Sequence, residues 1–180
     1  TEHILSQVAG HYDIVAEGEE TPVDVLLVNT CGFIGDAKEE SVQAVLEAVE
    51  RKNRGEIAKI VVFGCLSQRY AHELPELIPE VDAWYGARDF DPVIAELGVE
   101  PDREKDSQRY LTTPSHYAYL KISEGCNRFC AFCAIPLITG RHKSVPMEQL
   151  LAEVESLVGK GVKEFNVIAQ DLSSYGLDLY

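Results

Sequence analysis

The stretch Val25-Leu26-Leu27-Val28-Asn29-Thr30-Cys31 decides the fold class of this chain. Its first four residues form a continuous apolar run, which is typical of a strand buried on both faces of a parallel sheet. A second such run, Ile60-Val61-Val62-Phe63, follows a segment with apolar residues at helical spacing (Val42, Val45, Leu46 and Val49). Strand, helix and strand in this order predict an α/β protein with a parallel, Rossmann-like sheet.

The rest of the chain predicts a second unit. Residues 1–98 are predicted to form the first α/β domain, and residues 99–115 are polar and aperiodic, as in a linker. Residues 116–180 then read as one strand–helix–strand unit, with strands at 117–122 and 164–169. Both ends look cut, because no strand precedes the first helix and the last strand pair cannot bury both of its faces alone.

Composition indicates a globular protein. The chain has 180 residues, of which 46% are hydrophobic and 26% charged, and its five cysteines are more typical of metal binding than of disulfides. It has no apolar run of membrane-spanning length and no basic start typical of a secretory signal, so a cytoplasmic location is predicted. A net charge of −14 favours a basic partner, and direct nucleic acid binding by this part of the protein is not expected.

Three cysteines lie close together in the second unit. Cys126, Cys130 and Cys133 are separated by three and then two residues, directly after the strand at 117–122. Soft thiolates favour an iron–sulfur cluster or zinc, and three ligands leave one iron of a four-iron cluster open. The alternative is a structural zinc site, in a binding module without redox chemistry, with His116 or His142 as the fourth ligand.

The two other cysteines occupy equivalent positions. Cys31 and Cys65 each follow a buried strand and precede a helix. If the two strands are neighbours, both cysteines open onto one edge of the sheet and could share a metal. Taken singly, a cysteine at such a position is more often a small core residue than a metal ligand, and it is the pairing of the two that favours a metal.

Residues 121–136 resemble the cluster loop of the radical S-adenosylmethionine superfamily. The resemblance implies that Cys126, Cys130 and Cys133 hold a 4Fe-4S cluster whose open iron is chelated by S-adenosylmethionine. Phe132 matches the aromatic residue that lies near the adenine of the cofactor. In the segment after the cysteines, this chain has Thr139 where similar members of the superfamily more usually have an arginine.

The combination of both cysteine sites resembles the methylthiotransferase family. The resemblance implies an amino-terminal methylthiotransferase domain and the start of a radical S-adenosylmethionine (β/α) barrel. Cys31 and Cys65 match the second and third ligands of a second 4Fe-4S cluster, whose first cysteine would precede Thr1. Residues 31–34, 168–171 and 174–176 are most similar to the branch that modifies an aspartate of the twelfth small-subunit ribosomal protein. The branch that modifies adenosine in tRNA is the alternative.

The resemblance also implies a reaction and partners. One S-adenosylmethionine would methylate a sulfur at the amino-terminal cluster, and a second would be cleaved to a radical that activates the aspartate β carbon. The expected partners are a ribosomal protein substrate and an electron donor such as flavodoxin or ferredoxin. No catalytic acid or base is assigned. The 180 residues alone are not expected to catalyse the reaction. Gln170 and Asp171, at the end of a strand, are predicted either to contact cofactor or substrate or to form a polar turn. A local basic patch is also predicted (Arg128, Arg141, His142 and Lys143).

Overall fold

The computed structural model describes residues 1–15, 18–19 and 21–180. The chain forms two compact units, one of residues 13–99 and one of residues 1–12 together with 100–180. Helix α1 (Glu2–Val8) therefore groups with the later part of the chain, whereas the predicted first domain included it. Among the helices of the described residues, none combines the length and the apolar character that crossing a lipid bilayer requires.

The unit of residues 13–99 contains a three-stranded parallel sheet. Its strands are β1 (Val23–Thr30), β2 (Ile57–Gly64) and β3 (Ala83–Trp84), arranged in the order β1-β2-β3. Its helices are α2 (Gly35–Asn53), α3 (Cys65–Arg69), α4 (Glu73–Leu77) and α5 (Phe90–Glu96). The predicted parallel α/β fold is confirmed.

The core of this unit lies between α2 and the sheet. The apolar residues predicted at helical spacing provide the helix side, with Val45 1% and Val49 8% exposed. The continuous run on β2 provides the sheet side, where Ile60 and Val62 are fully buried. Burying a side chain of this size contributes about 1.5–3 kcal/mol, so the packing of α2 on β2 is a main source of stability.

The second unit is built on a parallel strand pair. Strand β4 (Tyr117–Lys121) pairs with β7 (Glu164–Ile168), and α7 (Met147–Gly159) connects them. Between β4 and α7 lie a short antiparallel ribbon, β5 (Ser123–Glu124) with β6 (Lys143–Ser144), and the short helix α6 (Ile135–Ile138). Ala118 and Leu157 are fully buried where α7 packs on β4.

The segment predicted to be a linker makes specific contacts with α1. Arg109 donates to the Glu2 carboxylate, and the Thr112 N–H donates to the same carboxylate at 2.9 Å. The side chain of Gln7, 1% exposed, donates to Asp102 O at 2.9 Å and accepts from Asp102 N–H at 3.0 Å. These polar contacts explain why α1 groups with residues 100–180.

Candidate cofactor site

Cys31 and Cys65 follow paired strand ends, as the sequence suggested. Thr30 pairs with Gly64 in the parallel register of β1 and β2, so each cysteine is the next residue after one member of that pair. A Cβ atom added to Gly32 would lie 2.7 Å from Cys65 O, so the backbones that carry the two cysteines are in close contact. Cys31 is exposed and Cys65 is partly buried. The condition for a shared metal, that the two strands are neighbours, is met.

Side chains from α2 and α3 fix this edge of the sheet. The Cys31 N–H donates to the Ser41 hydroxyl at 2.9 Å, and that hydroxyl donates back to Cys31 O at 3.2 Å. Ser41 is 8% exposed, so the pairing is protected from water. Arg69 donates to Gly32 O at 2.9 Å. The backbone on both sides of the Cys31 thiol is therefore held while the residue itself is exposed.

The loop that carries the other three cysteines is anchored at its start by residues 140–142. The Cys126 N–H donates to Gly140 O at 3.2 Å, and the His142 N–H donates to Asn127 Oδ1 at 3.1 Å. Gly125 has a φ of 81°, and a Cβ atom there would lie 2.3 Å from Arg141 O. Only glycine allows this backbone conformation and this close approach without strain.

The end of β7 supports the same loop. Gln170 Oε1 accepts from the Gly125 N–H at 3.2 Å, and its amide group donates to the Glu124 carboxylate. Arg128 donates to Asp171 at 2.7 Å and to the Ser173 hydroxyl at 3.0 Å. The Arg128 guanidinium, with the hydroxyls of Ser173 and Ser174, holds the pKa of Asp171 well below its usual range. Gln170 and Asp171 thus lie at the cysteine loop, where they contact loop residues.

The three thiols differ in accessibility. Cys126 is 8% exposed and its sulfur accepts the Arg128 N–H at 3.3 Å, whereas Cys130 is exposed and Cys133 partly buried. Within the described residues, no three His, Cys, Asp or Glu side chains are grouped so as to hold a metal ion, so the loop does not bring its three sulfurs to one point. Bringing three thiolates together costs like-charge repulsion, which a bound cation offsets.

The donor set fits an iron–sulfur cluster, and the position of His116 argues against that residue as a fourth ligand for zinc. Three thiols and an N–H group that donates to sulfur are the features that hold and tune such clusters. His116 precedes β4, whereas Cys126 follows it, and a five-residue strand spans about 16 Å, so His116 is not placed to be the fourth zinc ligand. His142 is 7% exposed and its Nε2 atom lies 3.1 Å from the Ser144 hydroxyl.

Phe132 projects into solvent from the cysteine loop, with 94% of its surface exposed, and the neighbouring Phe129 is 82% exposed. The two rings lie on the same loop as the three cysteines and are accessible to a bound ligand. The predicted contact of Phe132 with an adenine stays a prediction.

Three residues of the predicted basic patch, Arg128, Arg141 and Lys143, are exposed, but His142 does not belong to that surface. The His142 side chain is buried, and Arg128 is paired with Asp171. Sequence reasoning also missed Asp178, which accepts hydrogen bonds from both the N–H and the hydroxyl of Ser144. These bonds hold the pKa of Asp178 below its usual value. No local pattern signals this contact, since 34 residues separate the partners.

The chain is similar to known proteins over most of its length. The family model described as "Uncharacterized protein family UPF0004" matches residues 1–86. The chain is 58% identical over 157 residues, 87% of its length, to a protein of Porphyromonas gingivalis. It is 53% identical over 169 residues to a protein of Bacteroides fragilis and 50% identical over 181 residues to one of Phocaeicola vulgatus, 94% and 100% of the chain respectively.

The chain is homologous over most of its length to methylthiotransferases, and its parallel α/β unit with paired cysteines and its strand followed by a three-cysteine loop agree with that likeness. All three relatives carry the name ribosomal protein uS12 methylthiotransferase RimO. The chain spans 36%, 39% and 42% of the length of these three relatives.

Proposed function

We propose that the protein carrying these 180 residues transfers a methylthio group to the β carbon of an aspartate in ribosomal protein uS12. The observation that carries the proposal is the presence of two cysteine sites in a chain 50–58% identical to relatives named for this activity. The carbon to be modified has no useful acidity, so side-chain acids and bases cannot activate it and a cofactor is required.

The chain's own residues would hold the cofactors. Cys126, Cys130 and Cys133 would bind one 4Fe-4S cluster, and Cys31 and Cys65 would provide two ligands of a second. When bound, the clusters and S-adenosylmethionine supply the radical and sulfur-transfer chemistry. The Arg128 N–H that donates to Cys126 Sγ would stabilise negative charge on that thiolate.

Residues around the loop would position it and exclude water. Gln170 would hold the loop at Gly125 while its amide faces Glu124, and Phe132 would cover the cofactor with its ring. The acidic balance of the chain is suited to a basic ribosomal protein, and a cytoplasmic location agrees with such a substrate. The electron donor would be a small redox protein such as flavodoxin or ferredoxin.

Mass spectrometry of uS12 tests the proposal. The anaerobically reconstituted protein would be incubated with uS12, S-adenosylmethionine, a sulfide source and a reductant, and with tRNA in a parallel reaction. We expect a methylthio group on one aspartate of uS12 and none on tRNA. A product on tRNA alone would assign the chain to the tRNA-modifying function instead.

A matched pair of variants separates chemistry from folding in this assay. Cys130→Ser removes an exposed candidate ligand, whereas Ser173→Ala, on the neighbouring turn, removes a hydroxyl that contacts Arg128 and Asp171 and leaves every cysteine in place. We expect no product with the first variant and substantial product with the second. Equal activity of the two variants would contradict the assignment of the loop as the radical site.

A further inference from the structure

A polar cluster formed by His142, Ser144 and Asp178 lies next to the cysteine loop. The Asp178 carboxylate accepts from the Ser144 N–H at 2.9 Å and from the Ser144 hydroxyl at 2.5 Å. His142 Nε2 lies 3.1 Å from the same hydroxyl oxygen. Ser144 and His142 are 2% and 7% exposed, whereas the Asp178 side chain is 31% exposed, so water reaches the cluster only from the Asp178 side.

The hydrogen bonds assign the proton of the His142 imidazole. The single hydroxyl proton of Ser144 is donated to Asp178, and the Gly176 N–H is donated to the hydroxyl oxygen at 2.9 Å. That oxygen therefore has only acceptor capacity left for His142, so Nε2 carries the proton and donates it. His142 Nδ1 is then unprotonated, and it has no hydrogen-bond partner among the described residues. A buried Nδ1–H group without an acceptor would cost more than this arrangement.

The cluster is joined to the first cysteine of the loop by a short path. The His142 N–H donates to Asn127 Oδ1, and the Cys126 N–H donates to Gly140 O. Residues 140–142 lie against Gly125 so closely that a Cβ atom there would overlap Arg141 O. The position of the Cys126 thiol therefore depends on where residues 140–144 are held.

We infer that Asp178 is a positioning residue for Cys126, which it holds through Ser144 and His142. Asp178 fixes both polar groups of Ser144 that face it, Ser144 orients the His142 ring, and the His142 backbone holds the residue after Cys126. The inference concerns the loop itself and does not depend on the proposed reaction, so the two can fail separately.

Thiol alkylation with iodoacetamide, followed by mass spectrometry of each cysteine peptide, tests this in the reduced chain. In Asp178→Ala, the loop loses a hydrogen bond to a charged group and should open more often, so we expect Cys126 to be alkylated faster. The expected increase in rate is about tenfold, which corresponds to the free energy of one such hydrogen bond. Cys130, which is already exposed, should react at its original rate, as should Cys31 and Cys65 in the other unit. Glu155→Ala, an exposed acidic position on α7, is the matched control and should change no rate. An unchanged Cys126 rate in Asp178→Ala would overturn the inference.

The imidazole tautomer gives a readout that a merely structural role would not change. Nuclear magnetic resonance of labelled His142 should show the proton on Nε2. In Asp178→Asn, the remaining side-chain oxygen can still accept the Ser144 N–H, but an amide N–H₂ group replaces the oxygen that accepted the Ser144 hydroxyl. The Ser144 hydroxyl then has no acceptor at position 178 and should donate its proton to His142 Nε2. Asp178→Asn is therefore expected to move the His142 proton to Nδ1. If Asp178→Ala does not fold, a proton found on Nδ1 in the unsubstituted chain would still contradict the inference.

Discussion

The Arg128 guanidinium donates to the Asp171 carboxylate at 2.7 Å, although 43 residues separate the two in the sequence. Arg128 lies between the first two cysteines of the loop, and Asp171 lies just after β7. A residue that follows β7 therefore supports the cysteine loop that follows β4. This agrees with the rule that parallel α/β units build their sites at the carboxyl ends of strands.

Removing this pair should loosen the loop. In Asp171→Ala, we expect the backbone N–H groups of residues 126–133 to exchange with solvent faster, because Arg128 loses its carboxylate and two of the turn's hydroxyls lose their acceptor. Hydrogen exchange read by mass spectrometry measures this effect. Asp106→Ala, at an exposed acidic residue of the same unit, is the control, and equal exchange in both variants would argue against a supporting role.

The same pair predicts an acid sensitivity. The pKa of Asp171 is depressed in the folded chain, so its contribution is present above the ordinary carboxyl pKa of about 3.9 and is lost as the pH falls from there through the folded value. The loop should therefore keep its slow exchange at pH 5 and lose it only in stronger acid. Loss of protection near neutral pH would contradict this account of the ion pair.

Gly32→Ala tests the close approach of the Cys31 and Cys65 backbones. A Cβ atom would lie 2.7 Å from Cys65 O, so the two segments must separate, at a cost of about 1–3 kcal/mol in the free energy of unfolding. Urea denaturation measures this cost. Gly35→Ala, at the first position of α2 with no atom within 4 Å of the new Cβ, should be neutral or stabilising. A stable Gly32→Ala variant would mean that the two cysteine backbones are farther apart.

Arg109→Met tests the network that holds α1. Arg109 is 17% exposed and contacts Glu2 and Glu153, so its removal leaves two carboxylates without their shared cation. We expect a loss of about 1–2 kcal/mol in the unfolding free energy, less than for a fully buried pair because water screens part of the interaction. Arg103→Met, at the 69% exposed Arg103 in the same segment, should cost much less.

This network also predicts how pH acts on α1. Burial opposes ionisation of Glu2, but the Thr112 N–H and Arg109 outweigh it and hold the pKa of Glu2 below its usual value. The contribution is therefore present above a pH of about 4.3 and is lost as the pH falls through the folded pKa. Hydrogen exchange of α1 should increase in that acidic range in the unsubstituted chain, and an equal increase in Arg109→Met would refute the role of Arg109.

Local sequence patterns predicted most of the fold. The predicted strands match β1, β2, β4 and β7 to within three residues at each end. The match at β2 has a clear cause, since a strand buried on both faces requires continuous apolar side chains. The equivalent positions of Cys31 and Cys65 were also predictable, since they depend only on parallel pairing.

Contacts between distant residues could not be predicted in this way. Glu2 and Arg109 are 107 residues apart, so no local pattern could predict that α1 contacts the segment of residues 99–115. The inward turn of His142 depends on Ser144 and Asp178, so its assignment to a surface patch was wrong. His116 was a candidate ligand by residue type alone, and the direction of β4 excludes it.

The most direct test of the account is the metal and sulfide content of the anaerobically reconstituted protein, measured with and without Cys126→Ala. We expect a brown protein that contains iron and acid-labile sulfide, and a substantial loss of both from the variant because one of the three loop ligands is removed. A colourless protein that binds zinc, or iron content unaffected by Cys126→Ala, would contradict it.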